Sequence, residues 1–256
     1  MSKMPSVLDH GPGGDPFRAV RELTDLNRQA PDPEREHTLV HLRHLAAKAS
    51  GASPRRVDWP PELADPAPEV VDDIVWITPD RLDVETVGGA LRHHGCVAVR
   101  GLVDRDRADA LAEGVDDVFA AREEVLAGAA PESVADRYRE FAPEGAAEGL
   151  AKLRAWVRDA GAVWAADAPH LLDEVLAAFD EVHLVDLVEA YLGERPALSV
   201  NKSVLRKVTP EAYPSWHQDG AFLGEAVRAV NVWVALTPCG GDRDAPGMEM
   251  VPRRLN

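Results

Sequence analysis

The chain has 256 residues, 45% of them hydrophobic, which is enough to bury a sizeable core in one large domain or two small ones. Its 44 acidic residues outnumber 28 basic ones, and the resulting net charge of −16 repels a phosphate backbone and excludes nucleic acid as an expected partner. Two cysteines, Cys96 and Cys239, make neither a disulfide framework nor a thiolate zinc site, and neither an apolar leader nor a long apolar run occurs, so the expectation is a cytoplasmic protein without a membrane span.

Residues 1–34 are rich in Gly, Pro and charge and are expected to form a loosely ordered arm. From Glu34 to Ala49, Leu39, Leu42, Leu45 and Ala46 give a helical stripe, and His37, His41 and His44 share one helical face. No Glu follows the first of these histidines as in the zinc-protease helix, and no carboxylate is spaced with them. Solvated or partly packed histidines are therefore the expectation, with zinc as the alternative. The Pro-rich stretch from Gly51 to Val70 reads as an extended connector, closing a segment 35–70 that precedes the main domain at 71–256.

Beyond the connector the pattern becomes regular. Ile74 to Ile77 predicts a short strand, Asp80 to His94 a helix, and Cys96 to Arg100 a buried strand closed by Gly101. Asp104 predicts the cap of a helix carrying Leu111, Val115, Val118 and Phe119. Two further helices are expected at about 146–160 and 170–192, the second ending at Gly193. After Gly193 the apolar period turns strand-like, with β-rich segments at about 198–208, 227–236 and 247–252. A helical first part leading into antiparallel strands defines an α+β chain.

The chemistry-bearing segment is Tyr213-Pro214-Ser215-Trp216-His217-Gln218-Asp219-Gly220. On an extended strand, residues two apart face the same way, so His217 and Asp219 present an imidazole and a carboxylate side by side. Two histidines and one carboxylate make the facial triad of non-haem Fe(II) oxygenases, and this pair supplies two of the three donors. A His-x-Asp triplet alone is weak evidence, since an ion-paired histidine on a surface strand gives the same letters.

Context adds to it. The strand SVNKSVLRKV precedes the WHQDGAF segment, NVWVAL follows it, and then comes Ala245 to Pro252; upstream lie HGCVAVRGLVDRDRADAL and HLVDLVEAYLG. In this order the segments, spanning roughly residues 75–254, resemble the phytanoyl-CoA dioxygenase family of Fe(II)/2-oxoglutarate-dependent oxygenases. The resemblance implies a double-stranded β-helix, a jelly-roll or cupin-like barrel of eight strands beginning near residue 198. It also implies Fe(II), 2-oxoglutarate as co-substrate, and O2, with a small organic or lipid-like molecule hydroxylated while 2-oxoglutarate is converted to succinate.

By the same resemblance His217 and Asp219 are metal ligands, and Trp233 and Asn201 lie beside the co-substrate. For Trp233 an inward core aromatic is the equal alternative. Lys202, Arg206 and Arg228 are candidates to line an anionic route, with solvated strand faces as the default. The family's second metal histidine and the basic residue after it have no counterpart, because His217 is the last histidine in the sequence. His183 precedes the barrel and is a poor substitute. A barrel of this kind needs on the order of 40–60 more residues to close. The expectation is thus an incomplete barrel, from a shortened or shifted reading frame, a premature stop, or a partner chain that completes it. A non-catalytic jelly-roll remnant acting as a binding module is the alternative function.

Overall fold

The computed structural model describes residues 15–50, 59–143, 147–200, 202–208, 216–217, 227–241, 243 and 245–252. The chain divides into two compact units, both discontinuous in sequence: one from residues 1–54, 114–174 and 197–207, the other from residues 55–113, 175–196 and 208–256.

In the first unit, α1 (Pro16–Gln29) begins where Asp15 accepts the Phe17 N–H at 3.0 Å and Pro16 occupies the first turn. α2 (Pro33–Ser50) is opened by Asp32, which accepts the Arg35 N–H at 2.8 Å, and buries Leu39, Val40, Leu42 and Ala46. The two helices also share a polar interior. Asn27 donates to Glu36 at 3.2 Å and to Asp173 at 3.0 Å, and Arg43 donates to the other Asp173 oxygen at 2.6 Å. Burial of Asn27 and Glu36 is tolerated because each has partners.

The second core of this unit forms around α5 (Ala147–Asp159) and β3 (Ala162–Trp164), where Val157, Ala162 and Trp164 are buried against Leu150 and Val204. β4 (Val204–Arg206) pairs antiparallel with β3, setting Ala162 opposite Arg206 and Trp164 opposite Val204. Asp167 lies in the single-turn helix that follows β3, almost wholly buried. It accepts the Phe141 N–H at 2.7 Å and two Arg154 N–H groups at 3.1 and 2.7 Å.

The second unit is built on a strand–helix–strand crossover. β1 (Val75–Ile77) and β2 (Val97–Val99) are parallel, Val75 opposite Val97 and Ile77 opposite Val99, joined by α3 (Val84–His94). Asp83 caps α3 by accepting the Thr86 N–H at 2.7 Å, and Gly95 ends it in the left-handed region at φ 76°. Ala67, Val75, Ile77, Val87, Ala90 and Leu187 form the core, Leu187 coming from α7 (Leu184–Leu192). The outer face carries Trp76, with the Arg100 guanidinium 4.9 Å from its ring centre.

The segment 60–66 is held against α3 by polar contacts. His94 meets Asp65 at 2.8 Å, His93 meets the Leu63 carbonyl at 2.8 Å, and Arg92 donates to the Pro61 carbonyl and to Glu62. The fit is close enough that a Cβ on Gly89 would lie 2.3 Å from the Ala64 carbonyl oxygen, which is backbone. Gly89→Ala is expected to lower stability by about 1–3 kcal/mol, the overpacking strain exceeding the better helix propensity of alanine. Urea unfolding checks this, and a stabilised variant would show that the segment yields.

Several sequence expectations hold. The strand near Ile74–Ile77, the helix ending at His94 and the Gly193 cap (φ 64°) are all present. α4 (Arg105–Leu126) starts as expected, with Asp104 accepting the Arg107 N–H at 2.9 Å. Others need correction. Residues 16–29 are helical rather than loosely ordered. The helix expected over 170–192 is two, α6 (Pro169–Glu181) and α7, because His183 adopts φ 54° between them. The strand at 97–99 is half-buried rather than buried, since it belongs to a two-stranded sheet. Of the three later β-rich segments, only residues 204–206 form a strand among the described residues. Positions 227–236 and 247–252 have no ladder there, and extended backbone without a partner strand is not sheet. The described residues contain mixed helix and strand, with two two-stranded sheets and no closed barrel.

Candidate metal centre

Upstream of the His-x-Asp triplet, residues 202–207 are held by local hydrogen bonds and by pairing with β3. The Lys202 and Ser203 N–H groups donate to the Ser199 carbonyl at 3.2 and 2.9 Å, turning the chain into β4. Leu205 is buried there, Arg206 is exposed, and Lys207 pairs with Asp116 at 2.7 Å. Lys202 and Arg206 thus occupy solvated positions, as strand-face charges ordinarily do.

His217 is exposed, next to Trp216 at 66% exposure. Asp219 and Asn201 lie outside the described residues. Trp233 is 47% exposed and so is not an inward core aromatic. Arg228, a candidate for an anionic route, donates instead to the Leu192 carbonyl at 3.2 Å, at the end of α7, and its guanidinium stands 5.5 Å from the Trp59 ring centre. Trp59 in turn meets Tyr191 edge-on at 4.8 Å. A cation at a helix C-terminus is favourably placed, which accounts for this use of Arg228.

An imidazole and a carboxylate are donors of the kind Fe(II) takes, so His217 and Asp219 fit the metal in chemical type. In number they supply two. Among the described residues no three His, Cys, Asp or Glu side chains converge as a metal-holding group. His183, the poor substitute for the missing imidazole, is exposed and contacts Asp186 at 3.4 Å.

His37, His41 and His44 are half-buried on α2. The His41 ring stands 4.8 Å and the His44 ring 5.5 Å from Phe141, so these are partly packed histidines. Burial, the Arg139 charge and His41 together push His37 down to about 4. Burial also lowers His41, helped by His44 and Arg139, and lowers His44, helped by Lys48. An unfolded chain takes up protons on these imidazoles near pH 6.5, whereas the folded chain does not until lower pH. The unfolded state therefore binds more protons in that window, and stability rises with pH. Thermal or urea denaturation is expected to show stability falling as pH drops from about 6.5 toward 4. The slope should flatten in His37→Gln, and an unchanged slope would assign the acid sensitivity elsewhere. His170 acts in the opposite sense: burial disfavours its charge, yet Glu36 at 2.9 Å raises it above the ordinary value overall.

The family model for phytanoyl-CoA dioxygenase (PhyH) matches residues 91–252, and the chain belongs to this family. Its members are in general Fe(II)- and 2-oxoglutarate-dependent dioxygenases. The match takes in β2, α4 to α7, β3, β4 and the whole His217–Asp219 segment. No curated protein and no solved structure matches the chain. No helix among the described residues is long and apolar enough to cross a membrane.

Two structural groups were not singled out from sequence. The Asp167–Arg154–Phe141 network and the Asn27–Glu36–Asp173–Arg43 network join residues far apart in the chain, and no local spacing announces them. An aspartate inside the apolar run AVWAADAPHLL is the one hint of the first.

Proposed function

We propose that this chain is an Fe(II)/2-oxoglutarate-dependent oxygenase that hydroxylates a small organic or lipid-like molecule, with O2 as oxidant and 2-oxoglutarate as co-substrate. The observation that carries the proposal is the family match over residues 91–252, which contains His217 and Asp219 in the His-x-Asp pattern. In this reading those two side chains are iron ligands. Trp233 and Asn201 flank the co-substrate, and the segments from about residue 198 belong to a double-stranded β-helix within a domain at 71–256. When bound, Fe(II) supplies the activation of O2 coupled to oxidation of 2-oxoglutarate. The part left to the protein is to hold the metal through one imidazole and one carboxylate and to orient the co-substrate.

The test is succinate formation from 2-oxoglutarate by the purified chain under air, with and without added Fe(II). Parallel anaerobic titrations follow the visible charge-transfer absorption of an iron–2-oxoglutarate chelate. Iron-dependent succinate, or the absorption band alone, supports the proposal. Absence of both at saturating iron and co-substrate overturns it for this chain and leaves a binding module.

A further inference from the structure

The geometry points to a second metal site, on α2, in which the Nε2 atoms of His37 and His41 hold a borderline divalent transition ion such as Zn(II), Ni(II) or Cu(II). The two residues are one turn apart on the helix, and their Nε2 atoms face each other at 3.3 Å. Zinc–imidazole bonds of about 2.0–2.1 Å at the tetrahedral angle separate two ligating nitrogens by about 3.3 Å. Without a metal, the same contact is a long hydrogen bond between the two imidazoles. The spacing is that of two ligands of one tetrahedral ion, and a cation can replace the shared proton without moving either ring far.

The surroundings agree with this. His41 is backed by Phe141 at 4.8 Å, which limits the ring's freedom, and the two rings meet edge to face at 4.7 Å. Ligation requires neutral imidazoles, and burial favours the neutral form of both, bringing His37 down to about 4 and lowering His41. Arg139 is the neighbouring cation, and it is engaged by Glu34 at 2.8 Å, so the repulsion it offers a metal is offset by a carboxylate. His44 turns to Phe141 and is not a ligand. Water or an exogenous carboxylate completes the coordination, which leaves the ion open to exchange. Affinity among first-row ions favours Cu(II), Ni(II) and Zn(II) over Fe(II) at imidazole sites, so this pair does not duplicate the iron site proposed at His217 and Asp219. The inference does not depend on that proposal.

The test uses the full chain carrying His217→Ala, which silences the proposed iron site, titrated with Zn(II) alone by calorimetry. One equivalent is expected to bind. His37→Gln added to this background should weaken binding about tenfold or more, as should His41→Gln, whereas His44→Gln should leave it unchanged. Far-UV circular dichroism of each metal-free variant checks folding. Should His41→Gln unfold, the His37→Gln result and a Zn(II)-dependent shift of the His37 and His41 ring nitrogens by nitrogen-15 NMR decide the matter. No zinc binding in the His217→Ala protein overturns the inference, as does binding that survives His37→Gln or that needs His44.

Discussion

Asp167→Ala is expected to lower the unfolding free energy by about 3–5 kcal/mol, the range for removing one partner of a buried ion pair. The side chain of Asp167 is 2% exposed and that of Arg154 is 19% exposed, with 2.7 Å between them. Burial raises the pKa of Asp167 and outweighs the lowering by Arg154, so the ionised pair sits where charge is costly. Removing the carboxylate leaves the guanidinium with the Phe141 carbonyl at 3.1 Å and Glu140 at 3.7 Å, and leaves the Phe141 N–H without its acceptor. The guanidinium also stands 4.7 Å from the Trp164 ring centre. Trp164 belongs to the same core, so the damage is expected to spread to the β3–β4 pairing. Urea denaturation of Asp167→Ala beside Arg18→Ala, which removes one end of an exposed pair with Glu22, gives the comparison. The second variant should be unchanged. A loss below about 1 kcal/mol for Asp167→Ala would mean that water enters the site on truncation.

His217→Ala and Asp219→Ala are each expected to reduce iron-dependent succinate formation about 100-fold or more. Even the outer partners of metal ligands are worth about 10–100-fold, and direct ligands more. Both variants should also lose the absorption of the iron–2-oxoglutarate chelate, which separates loss of metal from loss of chemistry. Trp233→Ala, by contrast, is expected to keep iron and raise the KM for 2-oxoglutarate. Full retention of iron and turnover in both ligand variants would remove these two residues from the site while leaving family membership intact.

Helix ends were legible in the sequence because their signals are local. Asp104 accepts an N–H three residues on and Gly193 takes the left-handed conformation that glycine adopts without strain, both as expected, whereas the helix expected from Asp80 begins later, at the Asp83 cap. The break at His183 was not legible, since neither glycine nor proline marks it. Histidine tolerates a left-handed backbone better than most residues, and only the fold selects it there. α1 was missed although Asp15-Pro16 is a sound start signal, because the surrounding Gly and Pro suggested loose order. β3 is three residues long and was hidden by the helices around it; its identity as a strand comes from β4, some forty residues away.

The site was legible to a different degree. His217 and Asp219 stood out only through the ordered segments around them, and the family match at residues 91–252 spans most of those segments. The charge of Arg228 is visible in the sequence, but its engagement with the end of α7 and with Trp59 depends on residues more than thirty positions away.

The interleaving of the two units bears on how the chain is made. Leu187 and Tyr191 complete the packing around residues 55–113, and β4 completes a sheet begun at Ala162. A ribosome adding about 5–20 residues per second supplies α7 within about a second or two of the end of α6 and β4 a few seconds later, so each unit gains its closing piece late in synthesis. Such long-range closure slows folding relative to locally wired helical domains. Until then the nascent chain lacks the strand that pairs with β3 and the α7 side chain that closes the core around β1.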